Sequence, residues 1–582
     1  LKNLLSLNKY IYRYKGTLLL GIIFILLSNI FRVFQPQEIR KALNLIIYDV
    51  EHSNQNHELL SHKLMQFGLL ILFYALLMGI FMYFMRQTII VMSRKIEFDL
   101  RNDIYEHYLS LDSSFFKNNK TGDLMSRITE DVNKVRMYLG PVLLYGINLL
   151  ILFIIVIVTM LKVNFWLSIY TLAPLPLLSY IIYYVSNKIN NSSEKIQAQL
   201  SKLTNISQEA FSGIRILKSS GLNNSYSNYF NKESDKQKSY SLDLAQIDAL
   251  FFPSMFFMIG LSALITIYVG GLSTFNHEVT AGNIAEFIIY TNMLTWPVSA
   301  IGWCASMIQQ AEASQKRINE FLNTKSQDIT GTVSIPKSID KIEFKNVSFQ
   351  YPNSQRKILD NLNFIIEKDQ KVAFVGLTGS GKSTIIDLLI KNINATQGVI
   401  YVNGIPINEF NTSELKSLFA YAPQNTFLFS DTIEENLRLS KPDASFFELE
   451  EACIKAKFDD EIKKIPGNYQ AVLGERGVSL SGGQKQRLAL ARAFLKSNEV
   501  MILDDSLSAL DSFTEHAILK ELLAEKKLTM LLVTHRLEQT SDVDNIYVVH
   551  NGKIVSSGNF QQLRKDDNYF QQLLKHNLQN LN

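Results

Sequence analysis

Long apolar runs alternate with charged stretches through the first three hundred residues. Six runs stand out, at 18–33, 64–92, 142–163, 166–185, 251–268 and 284 to about 307. A hydrocarbon core ~30 Å thick takes about twenty helical residues, so each run predicts a membrane-spanning helix. Beyond residue 340 the pattern changes. "KIEFKNVSF" alternates like a strand with one buried face, 371–375 is a short buried strand, and 500–503 is a short apolar strand of the kind buried on both faces. The segment 321–340, rich in Thr, Ser, Gly and Pro, reads as the linker between the two patterns.

Charge orients the membrane part. The stretch between the second and third runs carries Arg94, Lys95, Arg101, Lys117, Lys120, Arg127, Lys134 and Arg136. The stretch between the fourth and fifth carries Lys188, Lys195, Lys202, Arg215, Lys218, Lys232, Lys236 and Lys238. The break near Asn164 has only Lys162 beside it, and 271–283 has no Lys or Arg. The positive-inside rule makes the two long connections and both termini cytoplasmic. "SRKIEFDLRNDIYEHYLSL" is helical in pattern, so the spans are expected to continue into the cytosol. Arg86, Asn148, Asp248, Glu286 and Asn292 are candidates for a substrate path, since polar groups within spans are costly and face cavities. Arg86 and Glu286 have a second reading, snorkelling to the interface.

A net charge of +4 over 582 residues leaves no nucleic-acid footprint. The two cysteines, Cys304 and Cys453, form neither a disulfide framework nor a metal-ligand pair.

The chemistry lies in the second half. The strand 371–375 runs into "GLTGSGKS" at 376–383, the G-x-x-x-x-G-K-S phosphate loop in its strand-to-helix context. Its glycines let the backbone wrap around phosphate, and its N–H groups and the helix N-terminus attract the anion. Gly376, Thr378, Gly379, Ser380, Gly381, Lys382, Ser383 and Thr384 are therefore candidate nucleotide ligands. Lys382 would reach the β and γ phosphates, and the Ser383 hydroxyl would bind Mg²⁺. Tyr351, after a strand, could stack on adenine or be purely structural. The strand 500–503 presents Asp504, placed to hold Mg²⁺, and Asp505, placed to orient an attacking water. "LSGGQKQR" at 480–487 is a second anion-binding helix start. One nucleotide does not need two such cradles; two nucleotides shared by two domains would use both.

Five markers in this order resemble an ATP-binding-cassette (ABC) transporter: the phosphate loop, Gln424 in "YAPQ", "LSGGQ", the Asp504 strand, and His535 in "LLVTHRL". The resemblance implies that Gln424 senses Mg²⁺ and the membrane domain. It implies that Ser481, Gly482, Gly483 and Gln484 bind ATP held by the opposite subunit, and that His535 contacts the γ-phosphate. Tyr351 then matches the adenine-stacking aromatic, and 508–511 the loop that crosses the dimer interface. "GERG" at 474–477 looks like the loop specific to exporters.

The first half is similar to type I (type IV) exporters. "SFFKNNKTGDLMSRITEDVNKVR" and "EAFSGIRILKSSG" resemble their two intracellular loops. The expected protein is multidomain: an all-α six-helix transmembrane domain at 1–322, the linker at 323–340, and an α/β P-loop nucleotide-binding domain at 341–582. As a half-transporter it would need ATP, Mg²⁺, the lipid bilayer and a second half-transporter. It would move a small hydrophobic or amphipathic compound across a bacterial inner membrane, with the nucleotide domain in the cytoplasm. The acid after Asp504 is usually Glu in this family; here it is Asp505, one methylene shorter. The wording "ILDDSLSALD" resembles multidrug-resistance-like half-transporters that pair with a second chain, so a heterodimer is favoured over a homodimer. A weakly hydrolysing regulatory half and a lipid flippase are the alternatives.

Overall fold

A computed structural model describes residues 2–52, 57–111, 113–275, 278–324, 331, 333–334, 336, 338–351, 354, 356–496 and 499–581. Half of the predicted linker 323–340 therefore lies outside the described residues. The chain forms two compact units, Leu1–Leu109 with Thr121–Thr324, and Ser110–Lys120 with Lys325–Asn582.

The first unit is helical. Among the described residues, five helices are long and apolar enough to cross a membrane: Lys15–Glu51, Glu58–Ser110, Thr121–Val163, Phe165–Ile182 and Asn223–Phe275. They cover the first five predicted spans. The sixth falls in the 42-residue helix Ala281–Leu322, whose apolar run is broken by Glu286, Asn292 and Pro297. The expected extensions are present: His57–Ser110 is one 54-residue helix, about 80 Å long at 1.5 Å per residue. Before the third span the backbone widens into π-turns at Arg127–Asp131 and Tyr138–Val142. Pro141 lies in the second of these, and a proline has no N–H to give the α-helical ladder. Buried acids tie the extensions together. Glu97 pairs with Arg94, Arg101 and Arg136, and Asp131 accepts from Ser314 and pairs with Arg317.

The five intramembrane polar candidates separate into two groups. Asn148 accepts a 2.8 Å hydrogen bond from Asn29, a tie between two spans. Glu286 does not snorkel: it is fully buried, 3.1 Å from Arg40 Nη1, and accepts from the Tyr290 hydroxyl at 2.9 Å. Arg86, Asp248 and Asn292 are exposed on the surface of this chain. Breaking a buried ion pair from one side leaves the other charge stranded, so Glu286→Gln should lower the stability of the detergent-solubilised chain by about 3 kcal/mol. The double change Arg40→Met with Glu286→Leu should recover most of that loss in the same denaturation measurement.

The second unit is built on two sheets. Strands β1 (Lys341–Phe349), β2 (Leu359–Glu367), β4 (Gln397–Val402) and β5 (Ile405–Pro406) form an antiparallel sheet in the order β2-β1-β4-β5. Strands β3 (Lys371–Val375), β6 (Phe419–Ala422), β7 (Val500–Asp504), β8 (Thr529–Val533), β9 (Asn545–His550) and β10 (Lys553–Gly558) form the second, in the order β10-β9-β3-β8-β7-β6. All of its pairings are parallel except β10 with β9. Its central strands β3, β7 and β8 are buried along their whole length because both faces are covered, whereas the edge strand β10 alternates between exposed and half-buried residues. Ala373, Val375, Leu503 and Leu532 enter one core cluster; Val372, Phe374, Ile502 and Leu531 enter the other.

Candidate nucleotide site

Four neighbouring parallel strands end at one edge of the larger sheet, and each delivers a predicted residue there. The register pairs Ala422 with Leu503, Asp504 with Val533, and Phe374 with Val533. Asp504 is thus the last residue of β7, and Gln424, Asp505, His535 and the start of the phosphate loop follow within two residues of adjoining strand ends. In parallel sheets this carboxyl edge is where ligands are held.

The loop after β3 depends on glycine. Gly376 has φ 152°, and a Cβ there would lie 2.2 Å from the Val549 carbonyl oxygen. Gly381, φ 106°, caps the helix Lys382–Leu389 in the left-handed region. The loop borders a cavity of about 270 Å³. Thr378, Gly379, Gly381, Lys382, Ser383 and Thr384 line it from one side; Gln424, Asp505 and His535 line it from the other. The Lys382 ammonium donates to the carbonyls of Gly376 at 2.9 Å and Leu377 at 3.0 Å. Burial pushes its pKa down, and Asp505 and Asp504 pull the other way.

The Ser383 hydroxyl donates to Asp504 Oδ1 at 2.9 Å. Asp504 is buried, and burial pushes its carboxyl up to about 6 against the bond from Ser383. Asp505 has φ 48°, a left-handed backbone that aspartate tolerates better than most residues. Its carboxylate sits between two predicted partners, 3.0 Å from His535 Nδ1 and 3.3 Å from Gln424 Nε2.

Other predicted residues lie away from the cavity. Tyr351 is half-buried and meets Phe349 edge-on at 4.8 Å. Ser481, Gly482, Gly483 and Gln484 do not line the cavity. They open the helix Gly482–Lys496, where the Ser481 N–H donates to Gln484 Oε1 at 2.9 Å. Gln484 also donates to Glu461 Oε2 at 2.9 Å. Ile358 and Thr534 line the cavity without having been anticipated. Neither carries a chemical signal in sequence beyond lying beside a strand end.

Two family models match the chain. The ABC transporter transmembrane region matches residues 18–298, and the ABC transporter model matches residues 359–508. The chain is 35% identical over 552 residues to the multidrug resistance-like ATP-binding protein MdlA of Buchnera aphidicola (subsp. Baizongia pistaciae), covering 93% of each. It is 31% identical to the probable multidrug resistance ABC transporter ATP-binding/permease protein YheI of Bacillus subtilis, covering 95% of this chain and 94% of that one. To MdlA of Escherichia coli it is 30% identical, covering 86% and 85%.

Proposed function

The chain belongs to the ABC transporter family, and from that premise we propose that it exports a hydrophobic or amphipathic compound as one half of a heterodimer. It is a multidrug-resistance-like half-transporter, a multi-pass protein of the bacterial inner membrane, and its ATPase activity is coupled to transport. The observation that carries the reading is the convergence of Lys382, Asp505, Gln424 and His535 on one cavity.

Lys382 and the loop amides balance phosphate charge. Tyr351 stacks on the adenine. The hydroxyl of Ser383 and the carboxylate of Asp504, hard oxygen donors already 2.9 Å apart, fit Mg²⁺. Among the described residues no group of three or more His, Cys, Asp or Glu forms a self-sufficient metal cage. That suits an ion which keeps waters and shares substrate phosphates. When bound, Mg²⁺ supplies charge neutralisation on the phosphates. Gln424 would be a further oxygen donor to that ion, Asp505 would orient the attacking water, and His535 would turn to the γ-phosphate. Ser481, Gly482, Gly483 and Gln484, which lie away from this cavity, serve the nucleotide of the second chain. The shorter reach of Asp505 favours a partner whose own site does most of the hydrolysis. A homodimer is the second reading, favoured by the intact grouping of Gln424 and His535 around Asp505.

Transport into reconstituted inside-out vesicles tests the reading. ATP-dependent uptake of a hydrophobic dye, lost in Lys382→Ala, supports drug-type export. Movement of labelled lipid without dye uptake would replace it with a flippase. Mg²⁺ binding carries a pH signature. Asp504 holds a cation only as the carboxylate, and its pKa is pushed up to about 6. Apparent Mg²⁺ affinity, with nucleotide present, should rise with pH through that value and level off above it. Below it, the loss should approach ~tenfold per pH unit. Asp504→Asn should remove this part of the pH dependence, leaving only that of the nucleotide.

A further inference from the structure

The loop that follows Asp505 is gripped from two sides, by the buried Gln486 and the partly exposed Arg536. From the helix Gly482–Lys496, Gln486 accepts from the Ala509 N–H at 2.8 Å and reaches Ser508 Oγ at 3.4 Å. From the residue after His535, Arg536 donates through Nη2 to the Ser508 carbonyl at 2.8 Å and through Nη1 to Glu515. Glu515 accepts from Gln539 at 2.6 Å, Gln539 accepts from Thr534, and Thr534 Oγ1 accepts from the Arg536 N–H at 3.0 Å. Gln486, Glu515, Thr534 and Gln539 are all buried. The path runs without a gap from the cavity-lining Thr534 and His535 to the loop, and on to the helix that Ser481–Gln484 open. Beside it, the buried Ser506 hydroxyl has no hydrogen-bond partner.

Such a network has physical consequences. Buried, charge-assisted bonds are short and stiff, and a connected set of them changes arrangement as a unit. His535 and Arg536 share a planar peptide, so a turn of the histidine side of the loop displaces the arginine. Lysine could not replace Arg536, because one ammonium does not present a planar fork to a carboxylate and a carbonyl together.

Resting on the reading that Lys382 and His535 hold phosphates, we propose that Arg536 is a positioning residue. It transmits the occupancy of this chain's phosphate site to the loop 506–511 and, through Gln486, to the start of the helix Gly482–Lys496. The two half-sites that one chain contributes are then coupled inside that chain, before any partner is considered.

Hydrogen exchange on the full chain in lipid nanodiscs tests this, with Mg²⁺ and a non-hydrolysable ATP analogue as the probe. In the wild type, exchange at 378–384 and at 507–510 should both slow by ~10-fold or more. In Arg536→Lys the slowing at 378–384 should persist while that at 507–510 falls below ~2-fold, with nucleotide affinity unchanged. Glu515→Gln, which keeps the arginine but removes its anchor, should give the same pattern in weaker form and serves if Arg536→Lys does not fold. A wild-type response at 507–510 in both variants would overturn the proposal. Absence of slowing at 378–384 in the wild type would instead overturn the nucleotide reading on which it rests.

Discussion

Asp505→Glu raises the ATP turnover of the chain, purified alone in lipid, by about 10²-fold. The argument is one of reach. The Asp505 carboxylate is held back at the strand end by His535 and Gln424. One more methylene carries it further into the cavity where an attacking water must sit. Misplacement on the order of 1 Å costs ~10²-fold in rate, or about 2.7 kcal/mol. An opposing term exists. The left-handed φ of 48° suits aspartate, and glutamate there gives up part of the ~1–2 kcal/mol by which that region is disfavoured. The rate term is the larger, so turnover should rise. Phosphate release, read against a Lys382→Ala background, measures it. Unchanged turnover would mean that the reach of Asp505 does not limit hydrolysis.

Lys382→Ala should lower turnover by at least ~10²-fold, the scale of losing one preorganised charge donor. Two causes act together. The cation opposite the phosphates disappears, and the loop loses the bonds from Nζ to the Gly376 and Leu377 carbonyls. Nucleotide affinity should therefore fall as well as rate. Binding of a fluorescent nucleotide alongside phosphate release separates the two. Turnover within a few-fold of wild type would remove Lys382 from the phosphate site.

Much of the architecture was legible in the sequence because it depends on one-dimensional signals. Burial in lipid requires long apolar runs, so five spans coincide with helices of membrane-crossing length, and the sixth lies in a long helix interrupted by polar residues. The phosphate loop is a contiguous motif whose glycines answer to backbone geometry. The strand ahead of it is apolar from Val372 on, and the strand ahead of Asp504 is apolar throughout, because both sheet faces are covered.

What escaped the sequence are side-chain meetings between distant positions. Glu286 reads as an interfacial acid until Arg40, 246 positions earlier, is found against it. Gln424 and Asp505 stand 81 positions apart, and Asp505 and His535 stand 30 apart. Only the parallel register of β6, β7 and β8 sets the three side by side. Gln486 and Arg536 lie inside "LSGGQKQR" and "LLVTHRL", but neither run shows that both close on the 506–511 loop. The sequence by itself determined which segments are long and apolar enough to span a bilayer and which strand-to-helix turn carries the glycine-rich loop, because solvent transfer and backbone freedom act residue by residue. The tertiary structure decided what Asp505 touches, where Glu286 finds its countercharge and how the helix Gly482–Lys496 is tied through the 506–511 loop to Arg536 beside His535. Hydrogen bonds and ion pairs of that kind depend on packing that brings distant positions within about 3 Å.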